Sequence, residues 1–75
     1  SMIVAEVNRL VGGVPTSQHT KGEAADCYCA SGPEQLLQVL LDSGLPFDQA
    51  IVYKRKRFLH LSYRQGRCRK MVLYK

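Results

Sequence analysis

The chain has 75 residues, 45% of them hydrophobic and 23% charged, with a formal net charge of +5. That length holds one domain near the lower limit for a single core, and the composition excludes wholesale disorder. No apolar run approaches the ~18 residues needed to span a membrane, so no membrane partner is expected.

Ser1 before Met2 reads as a cloning remnant and is set aside. Ile3, Val7, Leu10 and Val11 fall at helical spacing, and Gly12-Gly13 stops the segment, which predicts a short helix over 3–11. Residues 12–22 carry Gly, Pro, Thr and Ser and read as a loop. Glu23 to Ala30 reads as a strand with Ala24, Asp26 and Tyr28 on one face and Ala25, Cys27 and Cys29 on the other.

A clearer helix follows. Ser31 and Glu34 have capping-box spacing, Pro33 suits the first turn, and Leu36, Leu37, Leu40 and Leu41 supply a buried stripe that Gly44 ends. Gln49–Tyr53 and Phe58–Tyr63 read as strands of a hairpin whose turn is the basic tetrad Lys54, Arg55, Lys56 and Arg57. Alternation in the second strand points Leu59, Leu61 and Tyr63 at the helix and Phe58, His60 and Ser62 away from it. After a turn at 64–67, Cys68–Tyr74 reads as the last strand. The expected fold is α+β: a small antiparallel sheet of three to four strands with one or two helices packed on it, forming a single domain over 1–75.

The three cysteines are an odd count for a disulfide framework and lack CxxC spacing, so reduced, small, buried side chains are the expected role. The N-terminus carries no secretory signal, which points to the cytoplasm or to release on lysis. The positive charge suits a solvated basic surface in the first place and an anionic partner in the second. A nucleic-acid module would interleave aromatic and basic residues; here only Tyr53 and Phe58 flank the tetrad.

Two polar clusters carry possible chemistry. In Ser17-Gln18-His19-Thr20-Lys21-Gly22-Glu23-Ala24-Ala25-Asp26, a histidine and a carboxylate stand seven residues apart around a glycine that lets the chain bend. The second cluster is Leu59-His60-Leu61-Ser62, a histidine inside an apolar strand. Two histidines and one carboxylate would give zinc three ligands and leave the fourth position for water, the pattern of catalytic rather than structural sites.

Ser17-x-His19-x-x-Gly22-x-Ala24-x-Asp26, followed by an aromatic-aliphatic-His60-aliphatic-Ser62 strand, resembles the signature of the D-alanyl-D-alanine metallopeptidases, peptidase M15, and in particular a small phage and bacterial subfamily. Val11-Gly12-Gly13 and Leu45-Pro46-Phe47-Asp48-Gln49 add to the likeness. The resemblance implies a fold of the hedgehog/D-Ala-D-Ala peptidase kind, zinc as cofactor, and His19, Asp26 and His60 as its ligands. It also implies Ser17 as a contact to the substrate's terminal carboxylate, and peptidoglycan peptides containing D-amino acids as substrate.

Two departures qualify the expected activity. Relatives place a catalytic acid in or just before the strand of the second histidine, near Tyr53 or three residues before His60, at Arg57. No Asp or Glu occurs from Ile51 to Lys75, so Asp48 or, less well, Glu23 would have to act as the base. The family also carries more chain ahead of Asn8, so the sequence reads as N-terminally shortened, with self-association as a way to cover an exposed sheet face. The functional readings are therefore a zinc peptidase-like domain of weak or lost activity, an inactive relative serving as a binding module, and a basic nucleic-acid module.

Overall fold

The computed structural model describes the backbone of residues 14–18 and 23–75 and the side chains of residues 24–75. The helix expected over 3–11 lies outside the described residues. Among the described residues, five strands and one helix are formed: β1 (Val14–Gln18), β2 (Glu23–Tyr28), α1 (Pro33–Ser43), β3 (Gln49–Tyr53), β4 (Phe58–Tyr63) and β5 (Met71–Tyr74). The class is α+β.

The helix starts one residue later than the capping box implied. Gly32, not Ser31, is the N-cap; its φ of 94° is left-handed territory, and no side chain caps the first turn. Pro33 takes the first position, where its missing N–H is harmless, and Gly44 closes the helix in a left-handed conformation at φ 72°. Leu36, Leu37 and Leu40 are buried as expected, but Leu41 is half exposed. At ~100° per residue, Leu41 lies roughly 90° from the centre of the stripe the other three define, past its edge.

The sheet order is β1-β2-β4-β3-β5. Pairing is antiparallel for β1 with β2, β2 with β4 and β3 with β4, and parallel for β3 with β5. This corrects the expected antiparallel sheet of three to four strands in two ways. Val14–Gln18, expected as loop, is an edge strand on β2, with a register shift between Pro15 and Ser17. A proline is admissible there because an edge strand leaves one side unpaired and a bulge relieves the ladder.

The last strand is parallel for a topological reason. Both edges of β4 are occupied by β2 and β3, so the chain must cross to the outer edge of β3 before it can pair. The strand also begins at Met71 rather than Cys68. Lys70 sits at φ 54°, and the Arg69 side chain is held by Asp48, which ends the extended run short of Cys68.

α1 covers one face of the sheet. Its leucines close over Ala25 and Cys27 of β2, Ala50 and Val52 of β3, and Leu59 and Leu61 of β4, with Phe47 completing the core and Tyr63 and Val72 packed against it. The alternation read from β2 and β4 holds: alternate residues of β2, β4 and β3 are therefore left on the opposite face.

Candidate functional site

Strand register arranges that opposite face as three rungs running across β2, β4 and β3. The middle rung pairs Asp26 with His60 and His60 with Ile51. On one side of it lie Ala24, Ser62 and Gln49, also paired in register. On the other side lie three aromatic rings, Tyr28, Phe58 and Tyr53.

Direct cross-strand opposition brings the side chains of Asp26 and His60 together, as expected for neighbours on one face of an antiparallel pair. The His60 Nδ1 to Asp26 Oδ1 distance is 2.8 Å, and both side chains keep about a quarter of their surface exposed, at 25% and 24%. The sequence separation of 34 residues is bridged by β-sheet register alone. Ser17 on β1 stands opposite Asp26 on the other side of β2.

Of the three residues expected to hold zinc, the structure therefore unites Asp26 and His60. His19 lies outside the described residues; the chain reaches it directly after Gln18, the last residue of β1. The two donors present fit the metal chemically, since an imidazole nitrogen and a carboxylate oxygen are both ordinary zinc ligands. Here the two donor atoms are hydrogen-bonded to each other, and among the described residues no third His, Cys, Asp or Glu completes a metal-binding group.

Asp48 occupies a different setting. It precedes β3, three residues before the Ile51 that faces His60, a distance of roughly 10 Å along an extended chain. Its carboxylate accepts two side-chain hydrogen bonds from Arg69, Nε to Oδ1 at 2.7 Å and Nη2 to Oδ2 at 3.1 Å, and one from the Arg69 backbone N–H at 3.4 Å. The Arg69 guanidinium holds the Asp48 carboxyl below the usual carboxylate range. The structure thus gives the proposed base a binding partner of its own and does not bring it to the Asp26–His60 pair.

The positions where an acid would be expected are occupied otherwise. Tyr53 stacks on Phe58 with ring centroids 4.6 Å apart and planes 16° from parallel, and Phe58 meets Tyr28 at 5.3 Å. Arg57 lies in the hairpin turn at φ 58°, its guanidinium close to Gly32 at the start of α1. Lys54 places its ammonium 5.5 Å from the centre of the Tyr74 ring, a cation–π distance. Ser62, which follows the His60 motif, accepts a hydrogen bond from the Gln49 backbone N–H at 3.1 Å and so ties β4 to β3.

Sequence reading missed two features here. The aromatic row was visible as Tyr28, Tyr53 and Phe58 at outward positions of three strands, but nothing in the sequence aligned the strands. Arg69 as the partner of Asp48 had no local signal, because the two are 21 residues apart.

A family model described as Peptidase M15 matches residues 4–62, which is most of the chain and includes both clusters. The searches of curated proteins and of solved structures gave no match.

Proposed function

This chain belongs to the peptidase M15 family, and from that premise we propose that it is a zinc-dependent, peptidase-like domain for peptidoglycan peptides containing D-amino acids, better equipped to hold such a peptide than to cleave it. The observation that carries the reading is the Asp26–His60 pair, two chemically suitable donors set 2.8 Å apart by strand register. His19, two residues beyond the Ser17 that faces Asp26, would supply the third ligand. Bound zinc would lower the pKa of a water to ~7 and polarise a scissile carbonyl.

The chain's own residues do the rest. Asp26 and His60 orient each other, and β2 and β4 hold them on one rigid sheet, which is more exacting than a loop-borne site. Ser17, on the strand beside Asp26, is the candidate contact to a terminal carboxylate. Family membership and the β2-α1-β3 crossover with β4 inserted between its strands support a fold of the hedgehog/D-Ala-D-Ala peptidase type.

The weak point is the general base. Tyr53 is stacked in the aromatic row, Arg57 lies in the turn and Asp48 is held by Arg69, so among the described side chains no second carboxylate joins the pair; the side chain of Glu23, the other candidate base, lies outside them. General-base catalysis is typically worth ~100- to 10,000-fold, so hydrolysis is expected to be slow by that order. This favours the binding role over the catalytic one.

The test is zinc titration of the purified, metal-stripped protein, with elemental analysis. About one zinc per chain, with affinity lost by a factor of ~100 or more in His60→Ala, is the expected result. If His60→Ala and His19→Ala both bind zinc as well as the parent protein, the ligand assignment is wrong. In the zinc-loaded protein, Tyr53→Glu should raise hydrolysis of a wall peptide; no gain would place the missing acid elsewhere.

A further inference from the structure

The two edges of the sheet are built differently. At the β1 edge stands Pro15, which has no N–H to donate, and the register shifts between Pro15 and Ser17. A proline and a bulge both keep an edge from accepting another strand. At the β5 edge the register against β3 runs unbroken from Met71 to Tyr74. That strand is Met-Val-Leu-Tyr, with no proline and no charge inside it, and its β-branched and aromatic residues favour extended pairing.

The hydrogen-bond ladder fixes which backbone groups of β5 face outward. The N–H groups of Met71 and Lys75 donate to the carbonyls of Asp48 and Val52 at 2.9 and 2.8 Å, and the Lys75 carbonyl accepts from the Lys54 N–H at 3.1 Å. A strand alternates its bonding side from residue to residue. Met71, Leu73 and Lys75 therefore bond towards β3, whereas Val72 and Tyr74 turn their N–H and C=O groups away from it. Among the described residues no strand lies on that side, and Met71 and Tyr74 are exposed.

Charge decides what can occupy the edge. Lys70 and Lys75 bracket β5, and the Lys54 ammonium lies 5.5 Å from the centre of the Tyr74 ring. The ion pairs among the described side chains are His60–Asp26 and Arg69–Asp48, so these lysines have no carboxylate among them. A second copy would bring the same lysines to the edge on another molecule of net charge +5, which is repulsive.

We propose that the open edge of β5 docks an extended, acidic segment of a partner protein by strand addition. The segment's backbone pairs with Val72 and Tyr74, its apolar side chains lie beside those of β5, and its acids meet Lys70 and Lys75. Main-chain bonds supply the affinity and the lysines the choice of partner. The surface goes beyond the Asp26–His60 pair, from which β3 separates it, and it needs no metal.

The probe is an N-acetylated, C-amidated octapeptide with paired glutamates at each end and alternating valine and threonine between them. Amide exchange followed by NMR should show Val72 and Tyr74 exchanging freely in the protein alone, with Leu73 protected, and the peptide should slow both. The same peptide N-methylated through its central residues should bind roughly tenfold or more weakly. Tyr74→Pro removes an outward N–H and no bond to β3, and should weaken binding of the unmodified peptide by a similar factor. Lys70→Glu combined with Lys75→Glu, both at exposed positions, should weaken it about tenfold. Circular dichroism checks that the variants fold.

Protection of the Val72 and Tyr74 amides in the protein alone overturns the proposal, because the edge is then already covered. Equal binding of the N-methylated peptide overturns it in favour of attraction by charge alone. A dimer that Tyr74→Pro dissociates gives the edge to a second copy instead. Failure of the octapeptide to bind the folded protein removes the docking surface and leaves the metal-site reading untouched.

Discussion

Two faces of one sheet divide the labour of this small domain, and strand β4 shows the division residue by residue. Leu59 and Leu61 point into the core under α1 and are fully buried; His60, between them, points to the other face and keeps a quarter of its side chain exposed. One face is dry and closed by leucines, and its side chains act through packing. The other carries a polar pair and an aromatic row, and its side chains act through placement. In a strand, neighbouring positions can therefore differ completely in what their loss would do.

The largest effect expected from breaking this division is on the packed side. Leu61→Ala should cost ~2–5 kcal/mol, a large share of the stability available to so short a chain. Urea unfolding followed by circular dichroism would show it as a much lower midpoint, or as a chain already unfolded in buffer. His60→Ala, one position away, should cost less, because the histidine keeps a quarter of its side chain exposed where Leu61 is fully buried. If the two variants lose comparable stability, the histidine belongs to the core scaffold and not to a site laid over it.

Strand β2 repeats the comparison with a smaller readout. Cys27 follows Asp26 but faces the core, where it is fully buried, while Cys29 and Cys68 are partly exposed. All three are free thiols. Burial, with a lesser contribution from the charge of Asp26, pushes the Cys27 thiol up to about 11. Brief treatment of the native protein with iodoacetamide at pH 8 should modify Cys29 and Cys68 and spare Cys27 until denaturant is added. Mass spectrometry of the peptides reads this directly, and labelling of Cys27 at the rate of the other two would mean that the core opens readily on this side.

The sequence made the two-faced design legible where alternation was strong. The apolar–polar pattern of β2 and β4 assigned Ala25, Cys27, Leu59 and Leu61 to the core and Asp26 and His60 to the other face, because a period of two leaves a short strand only one way to bury its apolar half. Pro33 and Gly44 bracketed α1 for equally local reasons. What escaped was set by contacts distant in sequence. Val14–Gln18 has the composition of a loop and becomes a strand only because β2 offers it an edge. The parallel pairing of β5 follows from which strand edges remain vacant, and that is a property of the whole sheet. Within the site, motif resemblance pointed to Asp26 and His60, whose meeting the register confirms. The same reading made Asp48 a candidate base and could not foresee Arg69.

Asp26 and Asp48 offer the finest version of the comparison, two carboxylates with a basic partner at nearly the same distance. Asp26 meets one ring nitrogen at 2.8 Å; Asp48 meets Arg69 at 2.7 Å and is held by both guanidinium and backbone donors. What makes a clamp of Asp48 is that two guanidinium nitrogens and a backbone N–H converge on its one carboxylate. The Asp48 clamp sits where the chain turns into β5, next to the Met71 N–H that bonds the Asp48 carbonyl at 2.9 Å, so its role is to seat the last strand on β3. Because its carboxyl is held below the usual range in the folded protein, chiefly by the Arg69 hydrogen bond, its contribution is present above the unfolded value of about 4. It is lost as pH falls through the lower folded value. Thermal melts from pH 7 downward should therefore show a loss of stability below about pH 4 that is shallower in Asp48→Asn, with zinc affinity at neutral pH unchanged in that variant. A variant that melts with the same acid slope as the parent would show that the clamp does not couple to folding. One that lost zinc would return Asp48 to the site from which the fold separates it.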